Sequence, residues 1–523
     1  MNYHLREART SLRALRQSTR CTKPCWRRLS LSHRLIATSS ESVSTPARSS
    51  PCHDRRRISS SASGLSSGSH TSRHDFFEHS MDRWVYNEER QRKLRAVKFD
   101  VAALKEIATQ AVGAKSCLKM TKIAEGAFNK IFLLSFDNGK EAIARIPYPI
   151  LGRVSETIAS EVATMDFCRS KFGLPIPTVL AWSRTKADRA KVGTDYIIME
   201  KTPGVALSSR LEDLVECKND RPLIDDLVNI EAKFSTVEFS QIGSIYYRED
   251  VCDGLQERPI YKDGVEDEVS ERFRIGPILD RVFCHKGRDL MHADRGPSLV
   301  PDFPSYLIAL ANLEKQWWLK HGEDHFENHP GPGSPDLAIS LYDQIIALAP
   351  YLSPSREDFN KLVLWHLDLH PGNVMISPTG PGHITGIIDW QNLSIGPYFL
   401  KARFAECMLF SGDLVESSPG FMIPQLPDNY DELPPDRKEE AEVQRALGMR
   451  LKLYEARIIR RDRLRYVVFL SDWNEMVHPI VGQIPVSDQY GGLVILRECV
   501  RRICSRWTDI VPPGMACPGD REG

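Results

Sequence analysis

The residues with most chemical content lie between positions 365 and 390. The run is Trp365-His366-Leu367-Asp368-Leu369-His370-Pro371-Gly372-Asn373, and Ile387-Ile388-Asp389-Trp390 follows it, with Asp389 sixteen residues after Asn373. This is a carboxylate, a carboxamide five positions on, and a second carboxylate at the end of a later strand. Phosphoryl transfer asks for such a set. A carboxylate orients the attacking hydroxyl and accepts its proton, and oxygen ligands hold magnesium against nucleotide phosphates. Magnesium prefers carboxylate and carbonyl oxygens with water, which suits Asn373 and Asp389. A zinc site is the competing reading, because His366, Asp368 and His370 alternate and would share one face of a strand. That reading gives Pro371-Gly372 and Asp389 no role, and no further His stands at ligand spacing.

Such a set needs elements to position it. Around it, Val363–Leu367 and Asn373–Ile376 read as short extended runs. Pro378–Gly382 reads as a turn, and His383–Asp389 as the strand that returns from it. Far upstream, residues 100–112 have helical spacing, with Val101, Leu104, Ile107 and Ala108 on one face. The period then shortens. Cys117–Ile123, Lys130–Phe136 and Lys140–Ile146 read as strands, the last two joined by an Asp137-Asn138-Gly139 turn, since Asn-Gly tolerates positive φ. A helix over about Ser155–Lys171 ends at Gly173 and the Pro175/Pro177 pair. Thr178–Ser183 and Asp195–Glu200 are two further strands. Residues 205–360 read as mostly helical, and 400–508 as helical around an acidic, Pro-rich loop at 418–436. No internal repeat is present.

His-x-Asp-x-x-x-x-Asn followed by Ile-Asp-Trp resembles the aminoglycoside phosphotransferase and choline kinase-like family. The resemblance implies a protein-kinase-like bilobal α+β fold, with a small mixed β-sheet N-lobe at 83–203 and a larger, mainly helical C-lobe at 204–508. It implies Asp368 as catalytic base, Asn373 and Asp389 as magnesium ligands, and His366 as a brace for the loop. The cofactors would be ATP and Mg2+. Glu125-Gly126-Ala127-Phe128-Asn129-Lys130 stands where a kinase covers the phosphates, so Gly126 and Phe128 are candidates there, although a full Gly-x-Gly-x-x-Gly set is missing. Where kinases place a Lys on the third strand, this chain has Arg145, with Glu161 on the next helix as partner and Lys140 as a rival cation. Arg is planar and bidentate, so the exchange is not neutral. Ile197-Ile198-Met199-Glu200 resembles the hinge that binds adenine, through Met199 and Glu200.

The N-terminus reads as an address. Residues 1–60 hold twelve Arg and one Lys against three acids, an excess of ten positive charges that the rest of the chain cancels, since the net charge is zero. A nucleic-acid role built on bulk positive charge is thereby disfavoured. Arg6, Arg9, Arg13, Arg16 and Arg20 recur beside Leu5, Ala8, Leu12 and Leu15, a basic stripe next to an apolar one. An Arg-rich, Ser-rich, acid-poor amphipathic start is the mark of a mitochondrial transit peptide, assigned here to 1–74, with Arg56-Arg57-Ile58-Ser59-Ser60 similar to a processing site. A disordered basic tail is the plainer alternative. Residues 509–523 read as a disordered tail. The twelve Cys make no metal pattern and read as scattered reduced thiols. No apolar run is long enough to span a membrane.

A narrower resemblance rests on Arg83-Trp84-Val85-Tyr86-Asn87-Glu88, Gly126-Ala127-Phe128-Asn129-Lys130, Ala144-Arg145-Ile146-Pro147, Phe273-Arg274-Ile275-Gly276-Pro277 and Asp294-Arg295-Gly296-Pro297. These look like the fungal mitochondrial proteins called altered inheritance of mitochondria. The insertion 205–360 should hold the acceptor site, with Trp317-Trp318 and Asp294/Arg295 as candidate contacts or, for the tryptophans, buried core. Arg457, Arg460, Arg461, Arg463 and Arg465 form a basic cluster, either a headgroup site or a solvated helix face. Two functions follow. One is an ATP- and magnesium-dependent phosphotransferase acting on a small hydroxyl-bearing molecule in mitochondria. The other is a weak or inactive kinase-fold protein that works as a mitochondrial regulatory or interaction partner. A protein kinase would need Asp-Phe-Gly and Ala-Pro-Glu, which this chain lacks.

Overall fold

The computed structural model describes residues 76–519 apart from 81–82, 85–86, 217–219, 298–299, 418–419, 421 and 513. The expected targeting segment therefore lies outside the described residues. Those at 76–80 and from Glu88 onward group as one unit.

Two helices open it, α1 (Glu88–Arg95) and α2 (Val101–Val112). Asp100 caps α2 by accepting from the N–H groups of Ala102 and Ala103, and Gly113 ends it at φ 69°. Three strands follow: β1 (Cys117–Glu125), β2 (Asn129–Phe136) and β3 (Glu141–Pro147). After α3 (Val154–Phe172), β4 (Val179–Trp182) and β5 (Ile197–Glu200) complete an antiparallel sheet in the order β1-β2-β3-β5-β4. The strand period decides what this sheet delivers. Ala142, Ala144 and Ile146 of β3 share a core with Leu104 and Ala108 of α2. The alternate positions turn the other way, so Arg145 meets Glu161 on α3.

Gly204 begins the larger lobe at φ 95°. The chain then runs through β6 (Val205–Ala206) and α4 (Arg221–Phe234) to β7 (Ser244–Tyr247) and β8 (Phe273–Gly276). This antiparallel pair lies within the stretch 205–360, which reads as mostly helical. Ser-Ile-Tyr-Tyr and Phe-Arg-Ile-Gly are short β-prone runs, 25 residues apart, and no local turn signal joins them. The long helices α5 (Phe303–Asn328) and α6 (Pro335–Leu348) pack together before the short strand β9 (Leu362–Val363). The hairpin β10 (Val374–Ile376) and β11 (Ile384–Ile387) pairs through β10 with β6, and β12 (Gly396–Pro397) pairs with β9. Helices α7 (Pro435–Arg461), α8 (Arg463–Phe469), α9 (Asp472–Gln483) and α10 (Gly492–Ser505) close the lobe. The result is a two-lobed, kinase-like α+β fold, with Trp365, Trp390 and Phe234 deep in the larger core.

Gly204 is where the crossover touches the hairpin. A Cβ there would lie 2.2 Å from the Ile376 carbonyl and 2.5 Å from Thr385 Oγ1. Gly204→Ala should therefore destabilise the protein by more than about 1 kcal/mol, read as a lower urea midpoint at unchanged slope. An unchanged midpoint would show that the crossover is free to shift.

Candidate active site

The segment from Leu364 to Asn373 joins β9 to β10, and His366 fixes its shape. The His366 ring is buried edge-on to Trp390, with centroids 4.7 Å apart. Its Nδ1 accepts the Asp368 N–H at 3.3 Å, so Nε2 carries the proton and donates to the Ile388 carbonyl at 3.2 Å. Burial pushes its pKa down to about 4, which keeps the ring neutral. Both nitrogens are committed, which removes His366 from the zinc reading. The ring instead braces the loop against the strand that carries Asp389.

Asn373 ties the loop to itself. Its Nδ2 donates to the Asp368 carbonyl at 3.0 Å and to Asp368 Oδ2 at 3.3 Å. The amide oxygen is left as its acceptor. The Asn373 carbonyl receives the Ile388 N–H at 3.1 Å, so β10 and β11 hold the two ends of the motif in register. Asp368 itself is exposed.

Asp389 has a left-handed backbone, φ 65°, which turns the chain sharply after β11. A non-glycine residue there is held by its surroundings. Its side chain keeps 29% exposure, yet Oδ1 is sealed from solvent and makes no hydrogen bond. Arg145 Nη1 approaches Oδ1 at 3.6 Å, too far for one. The other Arg145 nitrogen pairs with Glu161, whose Oε1 is likewise buried without a hydrogen bond. Two carboxylates thus share one guanidinium, and one oxygen of each is unsatisfied. Burial pushes the Asp389 carboxyl up to about 7, against the pull of Arg145 and with the repulsion of Glu161 and Asp368. This donor set fits a hard cation: it has anionic oxygen, little water and too little positive charge.

The small lobe reaches the same place through the β1–β2 loop. Gly126 N–H donates to the Asn129 carbonyl at 2.9 Å, closing a tight turn in which a Cβ at Gly126 would touch only that carbonyl, at 4.0 Å. The Phe128 carbonyl accepts from Tyr148 N–H at 2.7 Å, and the Phe128 ring lies under the Arg281 guanidinium, 4.1 Å from centroid to carbon. Asn129 Nδ2 donates to Gln391 Oε1 at 3.0 Å, two residues past Asp389. Arg281 and the Asn129–Gln391 bond escape sequence reasoning, because nothing in local spacing marks them. On β5, Met199 pairs with Ile143 and Glu200 with Ala142. The Glu200 N–H is already used by the Thr178 carbonyl at 2.9 Å.

Other candidates fall away from this cleft. Trp317 and Trp318 are buried, and Arg288 lies over Trp317 at 3.9 Å, so they are core. Arg295 is spent on Glu156 and the Ile278 carbonyl, both at 3.3 Å. The basic cluster is not one solvated face. Asp462 breaks it between α7 and α8, and Arg465 is buried against Glu231 at 3.0 Å and Tyr454 at 2.9 Å.

The sequence matches the family model described as "Phosphotransferase enzyme family" over residues 119–400, which include every site residue above. A subtelomeric hrmA-associated cluster protein of Aspergillus fumigatus is 32% identical over 356 residues, 62% of this chain and 66% of its own. A Candida albicans relative named altered inheritance of mitochondria protein 9, mitochondrial, is 25% identical over 405 residues, 67% of this chain and 64% of its own. The chain thus spans just under two thirds of the length of these relatives. A solved aminoglycoside phosphotransferase, APH(4)-Ia, is similar over 77% of this chain and 99% of its own at 13% identity and a TM-score of 0.35. The family match takes in more than half of the chain, and the chain belongs to the phosphotransferase enzyme family.

Proposed function

We propose that this chain is an ATP- and magnesium-dependent phosphotransferase acting on a small hydroxyl-bearing molecule. The observation that carries the reading is the convergence of Asp368, Asn373 and Asp389, with two buried carboxylate oxygens left unsatisfied around Arg145. Asp368 would orient the acceptor hydroxyl and take its proton. Exposure suits it to that task, because an acceptor can reach it. Asn373, through its amide oxygen, and Asp389 would hold magnesium, which when bound neutralises charge on the nucleotide phosphates. Arg145, fixed by Glu161, would face the phosphates from the third strand. Gly126 and Phe128 would cover them, and Met199 and Glu200 would line the adenine end, Glu200 without its N–H. A mitochondrial location is part of the proposal, supported by the basic N-terminus and by the names of the relatives.

The alternative is a kinase-fold partner protein without turnover. The single glycine in the β1–β2 loop and the Arg in place of Lys favour it. Thermal unfolding of the full chain separates the two. Mg·ATP at a hundred times its dissociation constant should stabilise by about 2.7 kcal/mol. Asp389→Asn should lose the magnesium-dependent part. No shift at millimolar Mg·ATP would turn the search to partners.

A further inference from the structure

Arg281 has no place in the machinery described so far. It starts a 3-10 turn, residues 281–283, that Asp280 caps by accepting the Val282 N–H at 3.4 Å. The Asp280 carboxylate also faces Lys401 Nζ at 3.5 Å and Ser394 Oγ at 3.3 Å. The turn is thereby anchored to the segment that follows Asp389. From there the Arg281 side chain crosses to the small lobe and stacks on Phe128. Among the described residues no carbonyl or carboxylate accepts a hydrogen bond from its guanidinium, which is half-buried. Burial works against its charge, the nearby Asp368 carboxylate works for it, the neighbouring Arg95 guanidinium works against it, and Asp280 works for it. A guanidinium withdrawn from water normally finds oxygen acceptors. This one keeps its donors open between the β1–β2 loop and Asp368.

We propose that Arg281 binds the transferring phosphoryl group beside Asp368, with Phe128 fixing the plane of its fork. The proposal rests on the phosphotransferase reading and adds a catalytic residue to it. In phosphoryl transfer, charge spreads over the three equatorial oxygens of the moving group. The loop from His366 to Asn373 contains no Lys or Arg to meet them. His366 Nδ1 and His370 Nδ1 both accept backbone N–H groups, from Asp368 at 3.3 Å and Gly372 at 3.0 Å. Arg145 is engaged by Glu161 and Asp389. Among the described residues at the mouth, Arg281 keeps a guanidinium with open donors. In the step, the acceptor oxygen bonds to the γ-phosphorus, the β,γ-bridging P–O bond breaks, and the hydroxyl proton passes to Asp368. ADP leaves with the bridging electron pair. Arg281 donates hydrogen bonds throughout and exchanges no proton.

The test compares the full chain with Arg281→Met, which keeps an apolar stem over Phe128, and with Arg281→Lys. Thermal unfolding is followed with Mg·ADP and with Mg·ADP plus aluminium fluoride, a mimic of the planar phosphoryl group. Acceptor-free hydrolysis of Mg·ATP is followed alongside. Arg281→Met should keep the Mg·ADP shift, lose the added shift from fluoride, and hydrolyse on the order of a hundredfold more slowly. Arg281→Lys should recover part of both. An unchanged fluoride increment in Arg281→Met, or a native protein that binds Mg·ADP without any fluoride increment, overturns the assignment. A native protein with no response to Mg·ADP or Mg·ATP overturns the phosphotransferase reading itself, a result distinct from either.

Discussion

Asp368→Asn is expected to slow phosphoryl transfer by about 10²–10⁴-fold, the range that a positioned proton acceptor contributes. The substitution keeps size and shape but cannot take a proton. The structure says why stability should be spared. Asp368 is exposed, and its carboxylate receives one hydrogen bond, from Asn373 Nδ2 at 3.3 Å. The geometry of the loop comes from elsewhere, chiefly from the Asn373 bond to the Asp368 carbonyl and from His366. Turnover of Mg·ATP, alone and with hydroxyl acceptors, should therefore collapse while the urea midpoint and the Mg·ATP thermal shift stay near native values. Full turnover in Asp368→Asn would remove the base role. A lost Mg·ATP shift would place Asp368 among the groups that bind the nucleotide.

What was legible in the sequence was what is local. The loop 366–373 is a linear motif in which the bonds of Asn373 to Asp368 and of His370 to Gly372 close within five residues, so its spacing carries much of its geometry. Arg145 and Glu161 were legible because two periods agree: the strand sends Arg145 off the α2 face, and the following helix covers the other. The β2–β3 turn was legible from Asn138-Gly139, and Gly139 does take φ 76°. Contacts between side chains far apart in sequence were not legible. Asn129 meets Gln391 across 262 positions, and Arg281 reaches Phe128 from a short 3-10 turn that follows β8. Arg465 reads as a surface cation by composition. Only the packing of α4 against α7 shows the buried Glu231 that draws it inward. The left-handed turn at Asp389 has no glycine to announce it.

Arg145 is the second position where a large effect is expected. Its guanidinium is buried between Glu161 and Asp389. Arg145→Met would leave two carboxylates near one another without a cation, and breaking a buried pair in this way costs about 3–5 kcal/mol. Arg145→Lys keeps one charge but loses the fork that spans both acids, so its loss should be intermediate. Urea unfolding of the full chain measures both. Two further measurements tie the effect to the site rather than to lost packing. Magnesium, at fixed ionic strength, should return part of the stability of Arg145→Met, because a divalent cation supplies the missing positive charge. Asp389→Asn should do the same, since it removes one of the two opposed carboxylates, and the double variant should be more stable than the sum of the singles. If Arg145→Met instead lost stability that neither magnesium nor Asp389→Asn returned, Arg145 would act through its packing alone. The cation-seeking character assigned to Asp389 would then have to rest on Asn373 and Asp368.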